Sequence, residues 1–203
     1  MATVGVVEAI ARRRSIRNFK DTPIPRESIE KLLAAAVLAP SAKNRQPWRF
    51  VVLQGAARTK LARLMVEGAD YVESRGDKSG SCRNSARIVA QAPVTILVFN
   101  AAYEHEGIIF DHVTYNAPDI QSIGGMVQTM LLAAEELGLG TLWICDILYG
   151  YPLIREWLGR KEEMVTAVSI GYSAETSAAR PRTAWQEITE WRETEQQGRE
   201  PRR

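Results

Sequence analysis

The 203-residue sequence predicts one domain of the α+β or α/β class, with more helix than strand. Three observations predict it. Apolar residues recur at helical spacing in several separate stretches. Short runs rich in β-branched and aromatic residues fall between those stretches. The composition, 45% hydrophobic and 25% charged, is that of a folded globular chain. No repeat at solenoid periods is present.

In chain order, Val4, Val7, Ile10 and Ala11 share one side of a first helix, supported by a Glu8–Arg12 pair and ending near Arg14. Asp21-Thr22-Pro23 is turn material. Pro25 suits the first turn of a second helix, whose apolar face is Ile29, Leu32, Leu33, Ala36 and Val37, and Pro40 stops it. Residues 41–47 form a polar loop, and Phe50 to Leu53 a strand. Ala56 to Ala69 is helical, with Leu61, Leu64 and Met65 inward. Arg75 to Arg83, rich in Gly, Ser and Asp, is a loop, and Asn84 to Ala90 a short helix. Val94 to Phe99 is the clearest strand. Ala101 to Ala117 has no period and is expected to be a long loop. Asp119 to Leu137 is a strong helix that Gly138 ends. Thr141 to Cys145 is extended, Leu153 to Leu158 a helical turn or two, and Thr166 to Ile170 a strand. A final helix or arm follows Ala184. Residues 1–192 are expected to form the one domain, and 193–203 a polar tail that frays or packs on a partner.

Composition excludes several function classes. Twenty-six basic and 24 acidic residues leave a net charge of +2, which is no footprint for nucleic acid. The apolar stretch from Ala92 to Ala102 is too short to span a bilayer. Arg12, Arg13 and Arg14 interrupt any signal-peptide core. Cys82 and Cys145 cannot make a disulfide framework and read as free thiols of a reducing cytoplasm, Cys145 as a small buried hydrophobe. No Walker loop, Rossmann fingerprint, nucleophile elbow or HExxH helix occurs. His105 and His112 lie among Glu104, Glu106 and Asp111, but their spacing fits no standard metal pattern, so no metal is expected.

Three clusters carry chemistry. In Arg13-Arg14-Ser15-Ile16-Arg17, extended backbone would turn Arg13, Ser15 and Arg17 to one side, giving two guanidinium forks and a hydroxyl for a phosphate. The same arginines also suit a helix C-terminus, where the dipole is negative. Pro40-Ser41-Ala42-Lys43-Asn44-Arg45-Gln46-Pro47-Trp48 is rich in amides and hydroxyls that read a heteroaromatic edge. Arg180-Pro181-Arg182 follows the last strand.

Taken in order with Gly138-Leu139-Gly140-Thr141-Leu142-Trp143-Ile144 and Ile170-Gly171-Tyr172, these clusters closely resemble the nitroreductase family from about Ile10 to Arg182. The resemblance implies an α+β fold with a central, mostly antiparallel sheet flanked by helices, and a domain-swapped homodimer with FMN at the interface. It implies that Arg13 and Ser15, with neighbouring Arg14, hold the phosphate and ribityl end, and that Arg17 sits near N1 and O2 of the ring. Pro40, Ser41, Ala42 and Asn44, with Gln46, would reach the cofactor across the dimer. Arg180 and Arg182 would close on the phosphate. Trp143, Ile144 and Cys145 would lie along the ring, with Asn84 and Arg87 close by. Cys145-Asp146 departs from the glycine-containing pair of many relatives. Phe110, His112 and Tyr115 are candidates for the substrate side.

The function so implied is an FMN-dependent oxidoreductase passing hydride from NADH or NADPH to nitroaromatics, quinones or similar acceptors by a ping-pong mechanism. The rivals are another flavin chemistry on the same fold (flavin fragmentation, reductive dehalogenation, azoline oxidation) and a non-catalytic flavin-binding sensor or storage protein.

Overall fold

The run Val94–Asn100 (β2) has no exposed residue, and its alternating side chains feed two cores. Val94, Ile96 and Val98 point to one face, Leu97 and Phe99 to the other. A strand buried on both faces belongs at the centre of a covered sheet, and β2 lies between Trp48–Gln54 (β1) and Glu163–Gly171 (β4). Gly140–Ile144 (β3) closes the order β1-β2-β4-β3, every pairing antiparallel. The computed structural model describes residues 5–101 and 116–192. Most of the expected 101–117 loop, with both histidines, Phe110 and Tyr115, and the 193–203 tail lie outside them.

Six α-helices are described: Val6–Arg12 (α1), Arg26–Ala36 (α2), Ala56–Ser74 (α3), Cys82–Gln91 (α4), Ala117–Glu136 (α5) and Tyr151–Leu158 (α6). Helices α2 and α5 cover one sheet face, packing Ile29, Leu32, Ile123, Met126 and Met130 on Ile96 and Val98. Helices α3 and α4 cover the other, with Leu61, Leu64, Met65 and Ile88 against Leu97 and Phe99. One buried polar pair in the sheet satisfies itself: the Thr95 and Ser169 hydroxyls lie 2.9 Å apart across β2 and β4.

Two expectations need correction. The stripe Val7–Ile10 faces out: Val6, Val7 and Ile10 are exposed, and of α1 only Ala9 is buried. Val37 also lies outside α2, at its C-cap, because Pro40 has already forced the chain to turn. Among the described residues after Ala184 the chain makes a single 3₁₀ turn, Trp185–Ile188, and every residue from Arg180 to Arg192 is exposed.

The segment after β3 is seated by a glycine. A Cβ on Gly68 of α3 would lie 2.1 Å from the Tyr149 carbonyl oxygen and 2.9 Å from the Gly150 Cα. Both obstacles are backbone, so Gly68→Ala should force α3 off the 146–150 turn. We expect a loss of about 2–3 kcal/mol in unfolding free energy, read by urea titration, the cost typical of overpacking.

Candidate functional site

Helix α1 ends at Arg12, and the chain turns extended at Arg13. The Ile16 N–H donates to the Thr141 carbonyl at 2.9 Å, and Ser15 bridges Thr141 in parallel, so the segment lies along β3. Ile16 is buried and fixes which side faces in. Gly140 makes room for it, since a Cβ there would sit 2.8 Å from Ile16 Cγ1. The strand continues against the stretch after β4: Lys20 N–H donates to Tyr172 O at 2.8 Å and Ala174 N–H to Asn18 O at 2.9 Å. Those bonds bring residues 177–182 back over 13–17.

The result is a cleft of about 510 Å³ lined by Arg13, Arg14, Ser15 and Arg17 from one segment and Ser177, Arg180 and Arg182 from the other. Two arginine clusters far apart in sequence thus line one cleft from two sides. Among the described residues none of the five guanidiniums pairs with a carboxylate side chain. Arg14 caps the end of α1 through the Ala11 carbonyl at 2.7 Å, Arg17 reaches the Ser15 carbonyl at 3.0 Å, and Arg182 reaches the Arg180 and Pro181 carbonyls. Five like charges facing one space hold a positive potential that an anion relieves, and guanidinium forks fit phosphate oxygens in pairs.

The proline-bounded loop does not line this cleft. It is fixed elsewhere, on the start of α5. Arg45 pairs with the buried Asp119 at 2.6 Å, and the Ala42 N–H donates to Ser122 Oγ at 3.2 Å. Within the loop, Gln46 N–H donates to Ser41 Oγ at 3.0 Å and the Gln46 side-chain amide to Asn44 Oδ1 at 3.3 Å. Lys43, Asn44 and Gln46 all take left-handed backbone, with φ of 52°, 53° and 47°. Three non-glycine residues held this way in one short loop is strain of the kind that concentrates at functional sites. Pro40, Lys43, Asn44 and Gln46 are exposed.

Strand β3 presents Trp143 outward and buries Leu142 and Ile144, and Cys145, just past its end, is exposed. Ile144 offers a flat ligand only its backbone, its side chain being in the core. Cys145 is exposed rather than a buried apolar filler, because the chain has left the sheet at that point. The Trp143 indole is fixed by an Nε1–H bond to Thr166 Oγ1 at 2.7 Å, and its Cη2 lies beside Gly124 of α5. Asp146 accepts from the Ser81 and Ser85 hydroxyls at 2.5 and 2.7 Å, tying the turn after β3 to the start of α4. Cys82, buried in that junction, has its thiol pushed up to about 11 by burial and by the Asp146 charge, which leaves it inert. Asn84 and Arg87 lie on the exposed side of α4, bonded to each other at 3.0 Å and outside the arginine cleft.

The comparisons match this architecture. The family model described as "Nitroreductase family" matches residues 10–172, well over half of the chain. The chain belongs to the nitroreductase family. A protein of Methanothermobacter thermautotrophicus under the provisional name NADH dehydrogenase/NAD(P)H nitroreductase is 31% identical over 190 residues, covering 89% of this chain and 83% of that one. A Desulfovibrio desulfuricans protein, provisionally a nitroreductase and solved in complex with FMN, superposes with a TM-score of 0.71 at 28% identity, over 91% of this chain and 95% of that one. The 5,6-dimethylbenzimidazole synthase of Rhodospirillum rubrum is 30% identical over 136 residues, 65% of this chain and 64% of that one. The expected nitroreductase-like α+β fold is therefore this chain's fold, with the antiparallel sheet described above.

Ser177, Asp119 and Ser122 do structural work in and around the cleft and the proline-bounded loop that the sequence did not single out. They carry no spacing signature; only the folded chain brings them to their partners.

Proposed function

We propose that the protein is an FMN-dependent oxidoreductase that takes hydride from NADH or NADPH and passes it to electron-poor acceptors such as nitroaromatics or quinones. The observation that carries this reading is the convergence of Arg13, Arg17, Arg180 and Arg182 on one cleft without carboxylate partners among the described residues. Such a donor set fits a phosphate monoester, so the FMN phosphate and ribityl chain are assigned to Arg13, Arg14, Ser15, Arg180 and Arg182. Arg17 is assigned to the ring end, where a preorganised cation favours the charge that reduction places on N1 and O2. FMN, when bound, accepts and donates the hydride; the chain supplies position, field and a dry face. No general base is required of the protein.

The site is completed, in this reading, by a second copy of the chain. The loop with Ser41, Ala42, Asn44 and Gln46 is rigidly anchored yet lies off its own cleft. Val6, Val7, Ile10 and Leu38 are exposed at 71, 80, 55 and 82%, and Trp185, Ile188 and Trp191 line an arm that is exposed throughout its described length. An apolar surface of that extent is characteristic of an association face. Trp143 and the backbone of Ile144 and Cys145 are assigned to the ring.

The test is steady-state oxidation of NADH or NADPH with a nitroaromatic or quinone acceptor. The reading predicts parallel double-reciprocal lines, the mark of a ping-pong cycle. Flavin binding without turnover by either nicotinamide would leave the sensor reading. The similarity to 5,6-dimethylbenzimidazole synthase favours one second reading, flavin fragmentation. Aerobic incubation with reduced FMN and analysis for that benzimidazole separates the two.

A further inference from the structure

The ladder between residues 17–20 and 172–174 stops abruptly, and a side chain takes over where it stops. Phe19 bridges Ser173, and Ala174 N–H donates to Asn18 O at 2.9 Å. One residue beyond Asn18, Arg17 N–H does not bond to a carbonyl. It donates instead to Glu175 Oε1 at 2.6 Å. The same oxygen accepts the Ser177 hydroxyl at 3.3 Å. Glu175 is itself held: its N–H donates to Ser173 Oγ at 3.2 Å, and its carbonyl accepts the Ser173 hydroxyl at 2.7 Å. One carboxylate oxygen thus joins the arginine strand to the first residue of the arm that carries Arg180 and Arg182.

We propose that Glu175 is a positioning residue for the phosphate end of the flavin, and that it works by reach rather than by charge. It fixes the arm that bears Arg180 and Arg182 to the main chain of Arg17, so that both walls of the cleft meet one anion. This rests on the reading of the cleft as a flavin phosphate site. A carboxylate among guanidiniums otherwise opposes anion binding by neutralising them, so a purely electrostatic Glu175 would weaken the cofactor. Its bonds run to a main-chain N–H and a serine, not to an arginine side chain.

The test titrates FMN and riboflavin into flavin-stripped wild type and three variants, following flavin fluorescence. Wild type is measured first: failure to bind FMN there overturns the flavin reading itself, independently of Glu175. Given wild-type binding, Glu175→Ala should weaken FMN about tenfold, the usual cost of losing a hydrogen bond to a charged group. Glu175→Gln keeps an acceptor oxygen at the same reach and should stay within about threefold of wild type. Glu175→Asp keeps the charge but falls one methylene short, and should weaken FMN nearly as much as Ala. Riboflavin, which lacks the phosphate, should lose much less in each case. The reverse order, Asp retained and Gln weakened, overturns the proposal, as does equal loss of FMN and riboflavin. The Gln–Asp comparison decides the matter even where the Ala variant does not fold.

Discussion

The double variant Arg13→Ala, Arg182→Ala should purify colourless and bind FMN at least a hundredfold more weakly than the wild type. Each side chain comes from a different side of the cleft, so removing both takes one guanidinium fork from each. A hydrogen bond to a charged group is worth about 1.5–3 kcal/mol, and the two losses together reach about 3–6 kcal/mol. Neither guanidinium holds the fold together. Arg182 is exposed and bonds only to carbonyls of its own turn, and no ion pair of Arg13 is described. The thermal midpoint of the flavin-free protein should therefore be unchanged, which separates loss of binding from loss of structure. Equilibrium titration of FMN into both proteins checks this. Full flavin occupancy in the double variant would remove the phosphate assignment.

The triple variant Trp185→Ser, Ile188→Ser, Trp191→Ser should turn a dimer into a monomer and release the flavin with it. These three side chains are 58, 73 and 77% exposed in the single chain and belong to neither core. Covering the two indoles in a dimer is worth on the order of 3–6 kcal/mol before ordering costs. The fold of the protomer loses nothing, because the cores on the two sheet faces are built without the arm. Light scattering gives the mass and the visible spectrum gives the flavin content. A yellow, folded monomer contradicts the shared site.

Parts of this architecture were legible in the residues alone. Strand β2 could be read because its β-branched and aromatic run from Val94 to Phe99 is too short and too apolar for a surface helix. Helix α5 could be read because Ile123, Val127, Met130, Leu131 and Ala134 keep a helical period over about three turns. The arginine clusters could be read because their spacing is rare. The order β1-β2-β4-β3 could not, since periodicity says which face is buried and not which strand lies beside it. The outward stripe of α1 escaped for a related reason: an amphipathic pattern does not say whose core it enters. The left-handed Lys43 and Gln46 also escaped, because a loop that favours glycine there carries none, and tertiary anchoring through Arg45 and Asp119 holds the conformation instead. Glu175 was invisible because its partner is a main-chain N–H.

The central claim is that arginines from both ends of the chain meet on one phosphate-bearing flavin. The most direct measurement is the visible spectrum of the purified protein, replenished with FMN, before and after anaerobic addition of NADH or NADPH. The account predicts a yellow protein with one FMN per chain that bleaches on reduction. A protein that stays colourless after exposure to FMN would contradict it.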